Sequence, residues 1–68
     1  MNAKQVCKDF LRMQKGAELD AMEASHLMVE VWDIRVDWHE MAEALDYLHR
    51  CGSADCTKLG GYQRYLIN

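Results

Sequence analysis

Residues 36–52, VDWHEMAEALDYLHRCG, carry helix signals at both ends and throughout the middle, and the remaining elements are placed around them. Asp37 stands where an N-cap side chain accepts from free N–H groups, and Glu40 three residues on predicts a D-x-x-E capping box. Val36 and Met41 have the spacing of a hydrophobic staple. Met41, Ala44, Leu45 and Leu48 recur at helical intervals, with Trp38 one turn earlier, so the pattern predicts one apolar face along the whole helix. Gly52 predicts a left-handed cap, and His49 and Arg50 favour the negative end of the helix dipole.

The segments before this helix follow the same logic. Ala3, Val6, Cys7, Phe10 and Leu11 predict a first helix over residues 2–15, with its lysines mostly on the other side and Gly16 as its stop. Residues 17–19 are too few for an element of their own and suit a short extended piece. Asp20 and Glu23 repeat the D-x-x-E signature, and Ala24, Leu27, Met28 and Val31 form the stripe of a second helix ending near Trp32. Residues 33–36 make a tight turn in which Ile34 is expected to plug the gap between the helices. After Gly52 the period becomes alternating. Residues 53–59 and 62–68 around Gly60-Gly61 predict a β-hairpin with Leu59 opposite Tyr62. Ala54, Cys56, Tyr65 and Ile67 then share the core face, while Asp55, Thr57, Leu59, Tyr62, Arg64 and Leu66 share the other, with Arg64 across from Thr57.

Composition sets the outer bounds. Sixty-eight residues make one expected domain, 1–68, with a small core. Half the chain is hydrophobic and proline is absent, which argues against disorder. No apolar run suffices for a membrane span, and the polar start MNAKQVCKDF does not look like a secretory signal. An odd count of three cysteines fits reduced thiols in a cytoplasmic protein better than a disulfide framework. The formal charge of −3 is unevenly spread: +3 over residues 1–16, −5 over 17–34, −2 over 35–52 and +1 over the remainder.

The order helix, short extended piece, helix, tight turn, helix, hairpin resembles a winged helix-turn-helix domain of the small-regulator type. The likeness runs over nearly the whole chain and is carried by Leu45 and Leu48, by Cys51-Gly52 after the third helix, and by the hairpin around Gly60-Gly61. The resemblance implies a mainly α, α+β fold, three helices followed by a two-stranded β-hairpin wing. It also implies a third helix presented to the DNA major groove and a wing laid on the backbone or minor groove. Carried onto this chain, the DNA-facing candidates are Arg35, His39, Arg50, Lys58, Gln63 and Arg64.

The charge pattern departs from that chemistry. The second and third helical segments together carry −7, whereas Lys and Arg on phosphates supply most non-specific DNA affinity. Capping explains Asp20, Glu23, Asp37 and Glu40, but not Glu43 or Asp46. The first expectation is therefore a non-enzymatic regulatory module whose acidic third helix meets a protein partner with a basic surface through Glu43, Asp46, Tyr47 and Arg50. Set against it, a charge run of this kind is commonly just a solvated helix face. The alternative is a DNA-binding transcriptional regulator, by analogy one of phage or mobile-element type, that contacts double-stranded DNA through the third helix, first helix and wing. A homodimer would help the alternative by joining two positive patches, and Met13 is the one apolar candidate on the outer side of the first helix.

Other chemistry has less support. His49, Cys51 and Cys56 form H-x-C-x4-C, soft ligands that lack a fourth member and match no established metal spacing. Cys7 and Cys56 fall on core faces, where cysteine behaves as a small hydrophobe, so no metal or cofactor is expected. No glycine-rich phosphate loop or nucleophile elbow is present, and His26 and His39 stand among carboxylates with nothing to orient them. Among the aromatics, Trp38 and Tyr65 are expected in the core; Trp32, Tyr47 and Tyr62 are the surface candidates.

Overall fold

The computed structural model describes residues 2–68, with the side chain of Leu59 outside that description. The elements run α1 (Ala3–Arg12), β1 (Glu18–Leu19), α2 (Ala21–Trp32), α3 (Trp38–Arg50), β2 (Ala54–Leu59) and β3 (Tyr62–Ile67). The chain is thus mainly α within an α+β fold, in the element order expected, with α3 leading into the β2–β3 hairpin. The wing is larger than two strands. The short piece after α1 pairs antiparallel with β3, Glu18 with Leu66 and Leu19 with Tyr65, giving a three-stranded sheet in the order β1-β3-β2.

That pairing explains why α1 stops at Arg12 and not near Lys15. Gly16 has φ 87°, and its N–H donates 2.7 Å to the Ile67 carbonyl, so the chain leaves the helix to reach the sheet edge. The hairpin register is as predicted: Leu59 faces Tyr62, Thr57 faces Arg64, Cys56 faces Tyr65 and Ala54 faces Ile67. Gly60 and Gly61 both have positive φ, 54° and 88°, the combination a two-residue turn of the primed kind needs to match strand twist. Placing the Leu59 side chain on the outer face lies outside the described residues.

One core joins the layers. Cys7, Phe10 and Leu11 of α1, Ala24 and Met28 of α2, and Met41, Ala44, Leu45 and Leu48 of α3 pack with Leu19, Ala54, Tyr65 and Ile67 of the sheet. Ile34 is partly buried against this cluster, as its place in the turn suggested. The stripe of α2 differs from the prediction. Met28 is followed at i+4 by Trp32, whose ring meets Phe10 edge-on at 5.1 Å and 80°, and Val31 is left 57% exposed. Trp32 is therefore a core-flanking residue and not a surface one.

The ends of α2 and α3 are capped differently. At α2 the box is complete: the Glu23 N–H donates to Asp20 Oδ1 at 2.8 Å and the Asp20 N–H donates to Glu23 Oε1 at 3.2 Å. At α3 Asp37 accepts from the His39 N–H at 3.0 Å, and the expected box, in which the Asp37 N–H would donate to the Glu40 carboxylate, is not formed. The far end of α3 closes as a Schellman motif, with the Ser53 N–H on the Leu48 carbonyl at 2.8 Å, the Gly52 N–H on His49 at 3.1 Å, and Gly52 at φ 79°.

Candidate functional site

Helix α3 has two flanks, one toward α1 and one toward α2, and the side chains on them differ in kind. The four residues proposed for partner contact, Glu43, Asp46, Tyr47 and Arg50, lie together with Lys4 and Lys8 of α1 around an open depression of ≈ 470 Å³. Lys4 Nζ sits 2.6 Å from Glu43 Oε2, and Lys8 Nζ lies 3.8 Å from the centre of the Tyr47 ring. Both residues advance by one helical turn, Lys4 to Lys8 and Glu43 to Tyr47, so one ridge of α1 matches one ridge of α3. Asp46 pairs with Arg50 one turn on, at 3.1 Å. The surface anticipated as acidic is therefore mixed, with three cations and two carboxylates around it. Sequence reasoning missed Lys4 and Lys8. The usable signal was their i, i+4 spacing beside Cys7 and Leu11, the residues that bury against α3.

The ion pair holds the Lys4 ammonium above its usual pKa, first through the hydrogen bond to Glu43 and then through the Glu43 charge. On the same helix the buried Cys7 thiol is pushed up by its burial, with the Glu40 charge adding to the effect.

The wing candidates separate. Arg64 folds back onto the domain and is half-buried. Its Nε donates to Glu18 Oε1 at 3.1 Å, Nη1 to Glu23 Oε1 at 2.6 Å and Nη2 to the Glu18 carbonyl at 3.2 Å, with Asp20 Oδ2 3.9 Å away. One guanidinium of β3 thus ties strand β1 to the capping box of α2, and its carboxylate partners raise its pKa further. Thr57 lies across from it in register, but the arginine's reach is to the other edge of the sheet. Lys58 and Gln63 are exposed near the turn, opposite one another, and Tyr62 is 68% exposed. Arg35 is exposed in the turn before α3.

The α2 flank of α3 holds a feature the sequence did not predict. Trp38, expected in the core, is 47% exposed and stacks on the His39 ring at 3.9 Å and 27°. It stands at the first position of α3, one turn before the first fully buried residue, Met41. With Val29, Val36 and Met22, which is 54% exposed, it lines an apolar groove of ≈ 460 Å³ between the two helices. His39 Nδ1 donates to Asp37 Oδ1 at 3.0 Å at the edge of this groove. Together with the His39 backbone N–H, this holds the Asp37 carboxyl below its ordinary pKa.

The sulfur and imidazole candidates are spread out. His49 Nδ1 donates to the Ala54 carbonyl at 3.0 Å, and its ring lies 6.3 Å from Tyr65. Cys51 is exposed, while Cys56 is half-buried against the core opposite Tyr65. Among the described residues, no group of three or more His, Cys, Asp or Glu side chains is gathered as metal ligands, and no helix is long and apolar enough to cross a membrane. Met13 is 69% exposed at the end of α1. Compared with protein-family models, curated proteins and solved structures, the chain gives no match.

Proposed function

We propose that this chain is a small, non-enzymatic, cytoplasmic regulatory module of winged-helix type that acts by protein–protein contact, with α3 at the centre of the contact. The observation that carries the reading is the state of the cations. Arg64 is bound to Glu18 and Glu23, Lys4 to Glu43, Arg50 to Asp46, Arg12 to Asp9, and Lys8 lies on the Tyr47 ring. That leaves Lys15, Arg35 and Lys58 without an ion pair among the described residues, each on a different part of the fold. A duplex-binding domain of ordinary affinity neutralises on the order of 6–10 phosphates, and three scattered cations fall short of that. A protein partner needs no such array. It can use the mixed-charge depression around Tyr47, where an aromatic ring already anchored by a cation is a favourable contact.

Double-stranded DNA is the second reading, and one observation favours it: Lys4, Lys8 and Arg50 share one depression. A single titration separates the two. Fluorescence anisotropy with a random labelled duplex, across a salt series, is expected to give no binding tighter than about 10⁻⁴ M. Micromolar binding that weakens steeply with salt would overturn the protein-contact reading in favour of DNA.

A further inference from the structure

The exposed surface of α2 has the shape of a seat for another helix. Met22, His26 and Glu30 are spaced i, i+4, i+8 and form one ridge along it. Depressions flank the ridge on both sides and share these three residues. On the α3 side lies the groove of ≈ 460 Å³ floored by Val29, Val36 and Trp38, and on the sheet side a second of ≈ 390 Å³ reaches Leu19 and Leu27. A ridge between two grooves is the surface against which the i±4 rows of a second α-helix interdigitate. The apolar side chains in it are real exposures: Met22 is 54% and Trp38 47% accessible. Exposed, clustered apolar groups of this kind mark interaction sites, and Trp is the residue most enriched at interface anchors.

Charge selects among helices. Glu30 and Asp37 line the groove together with Arg35, and Asp33 stands exposed at the turn between the helices, just outside that lining. Glu30 and Asp33 have no cationic partner among the described residues, while Asp20 and Glu23 at the other end are held by Arg64. Residues 17–34 as a whole carry −5. An acidic rim around an apolar floor complements a helix with apolar residues on one stripe and lysine or arginine beside it.

We infer that the α2–α3 groove binds a basic amphipathic helix of a partner protein, with an apolar side chain of that helix against Trp38 and Met22 and its cations on Glu30 and Asp33. The inference rests on the protein-contact reading and moves the anchor of that contact from Tyr47 to Trp38.

The test uses two synthetic helical peptides, each with Leu at i, i+3, i+7 and i+10 positions, one with Lys and the other with Glu at the flanking sites. Calorimetric titration into the full chain should give binding of the Lys peptide and none of the Glu peptide. Trp38→Ala should weaken the Lys peptide roughly tenfold or more, as expected for an interface anchor. Glu30→Lys should weaken it in a salt-dependent way. Both positions lie on the surface, and circular dichroism with urea titration verifies that each variant folds. Equal binding of both peptides, or Lys-peptide binding that ignores Trp38 and Glu30, overturns the groove. If Tyr47→Ala is then the variant that loses binding, the protein-contact reading stands without the groove. Self-association by sedimentation that Trp38→Ala abolishes would overturn the foreign partner by placing a second copy of this chain there.

Discussion

The two flanks of α3 solve opposite problems. On the α1 side the charged groups meet charged or aromatic neighbours: Lys4 on Glu43, Lys8 on Tyr47, Arg50 on Asp46. On the α2 side an indole and a methionine stay open beside Glu30, which has no cationic partner among the described residues. Exposed ion pairs contribute little to stability, so the first flank is a finished surface whose pairs fix how α1 lies on α3 more than how firmly. Exposed apolar groups are unfavourable in water until something covers them. The most charged part of a helix need not be its most adhesive part. A search of the sequence for function by charge alone lands on Glu43 and Asp46, which are already answered within the chain.

The largest loss is expected from beneath both flanks. Phe10 is fully buried on α1 and carries Trp32 of α2 edge-on, so it supports both flanks. Phe10→Ala is expected to cost about 3–5 kcal/mol, against a total of about 3–10 kcal/mol for a chain of this size. Urea unfolding followed by circular dichroism should show a midpoint lowered by about half or more. A midpoint close to that of the wild type would mean α1 is not part of the platform.

A smaller loss is expected where the sheet is tied to the groove. Asp20→Ala removes the α2 cap and should cost about 1 kcal/mol, read as a lower urea midpoint with an unchanged slope. Arg64→Ala loosens the same corner by freeing Glu18 and Glu23 to repel one another, and its effect should shrink as salt is added. A salt-independent loss would assign the Arg64 contribution to the packing of its stem.

Much of this architecture is legible in the sequence because local signals and burial agree. Asp20 with Glu23, Met41 through Leu48, Gly52, and the alternation around Gly60-Gly61 each state one structure and find it. What escaped were features set by partners distant in sequence. Arg64 looked like a wing cation because its acceptors, Glu18 and Glu23, lie more than forty positions away. Lys4 and Lys8 looked like solvated charges because their spacing beside Cys7 and Leu11 marks the edge of a buried stripe without revealing that Glu43 and Tyr47 stand across it. Trp38 and Trp32 exchanged roles because both lie near the edge of an apolar stripe, and only the packed core decides which end of the stripe is covered. The site suffered more than the fold, since sites are built from such edge positions.

Two exposed aromatics give a sharper contrast. Trp38→Ala removes a side chain that nothing in the core depends on, and a change within about 0.5 kcal/mol is expected. Tyr47→Ala takes away the ring beneath Lys8, and an exposed cation–π contact alone contributes about 0.5–1 kcal/mol. The two variants measured side by side by thermal unfolding should therefore rank Tyr47→Ala as the more destabilising, although tryptophan is the larger residue. The reverse order would place Trp38 in the structural core and remove the contrast between the flanks.

The finest distinction is in the pH limbs, because each flank carries a shifted group on its surface. Asp37, on the groove side, has its pKa lowered below the ordinary 3.8 by the His39 N–H and ring. A lowered carboxyl contributes stability that is fully present above its unfolded value and is lost as pH falls through the lowered folded value. Lys4, on the α1 side, has its pKa raised above the ordinary 10.5 by Glu43. A raised ammonium contributes stability that is fully present below its unfolded value and is lost as pH rises through the raised folded one. The gap in urea midpoint between wild type and Asp37→Asn should therefore hold through neutral pH and close only on the acid side. The gap to Lys4→Gln should hold through neutral pH and close on the alkaline side, where the ammonium loses its proton. Both groups are fully exposed, so the gaps are small and shrink with salt. Gaps that stay constant across both limbs would mean that neither pair senses its own charge and that the two flanks differ in shape alone.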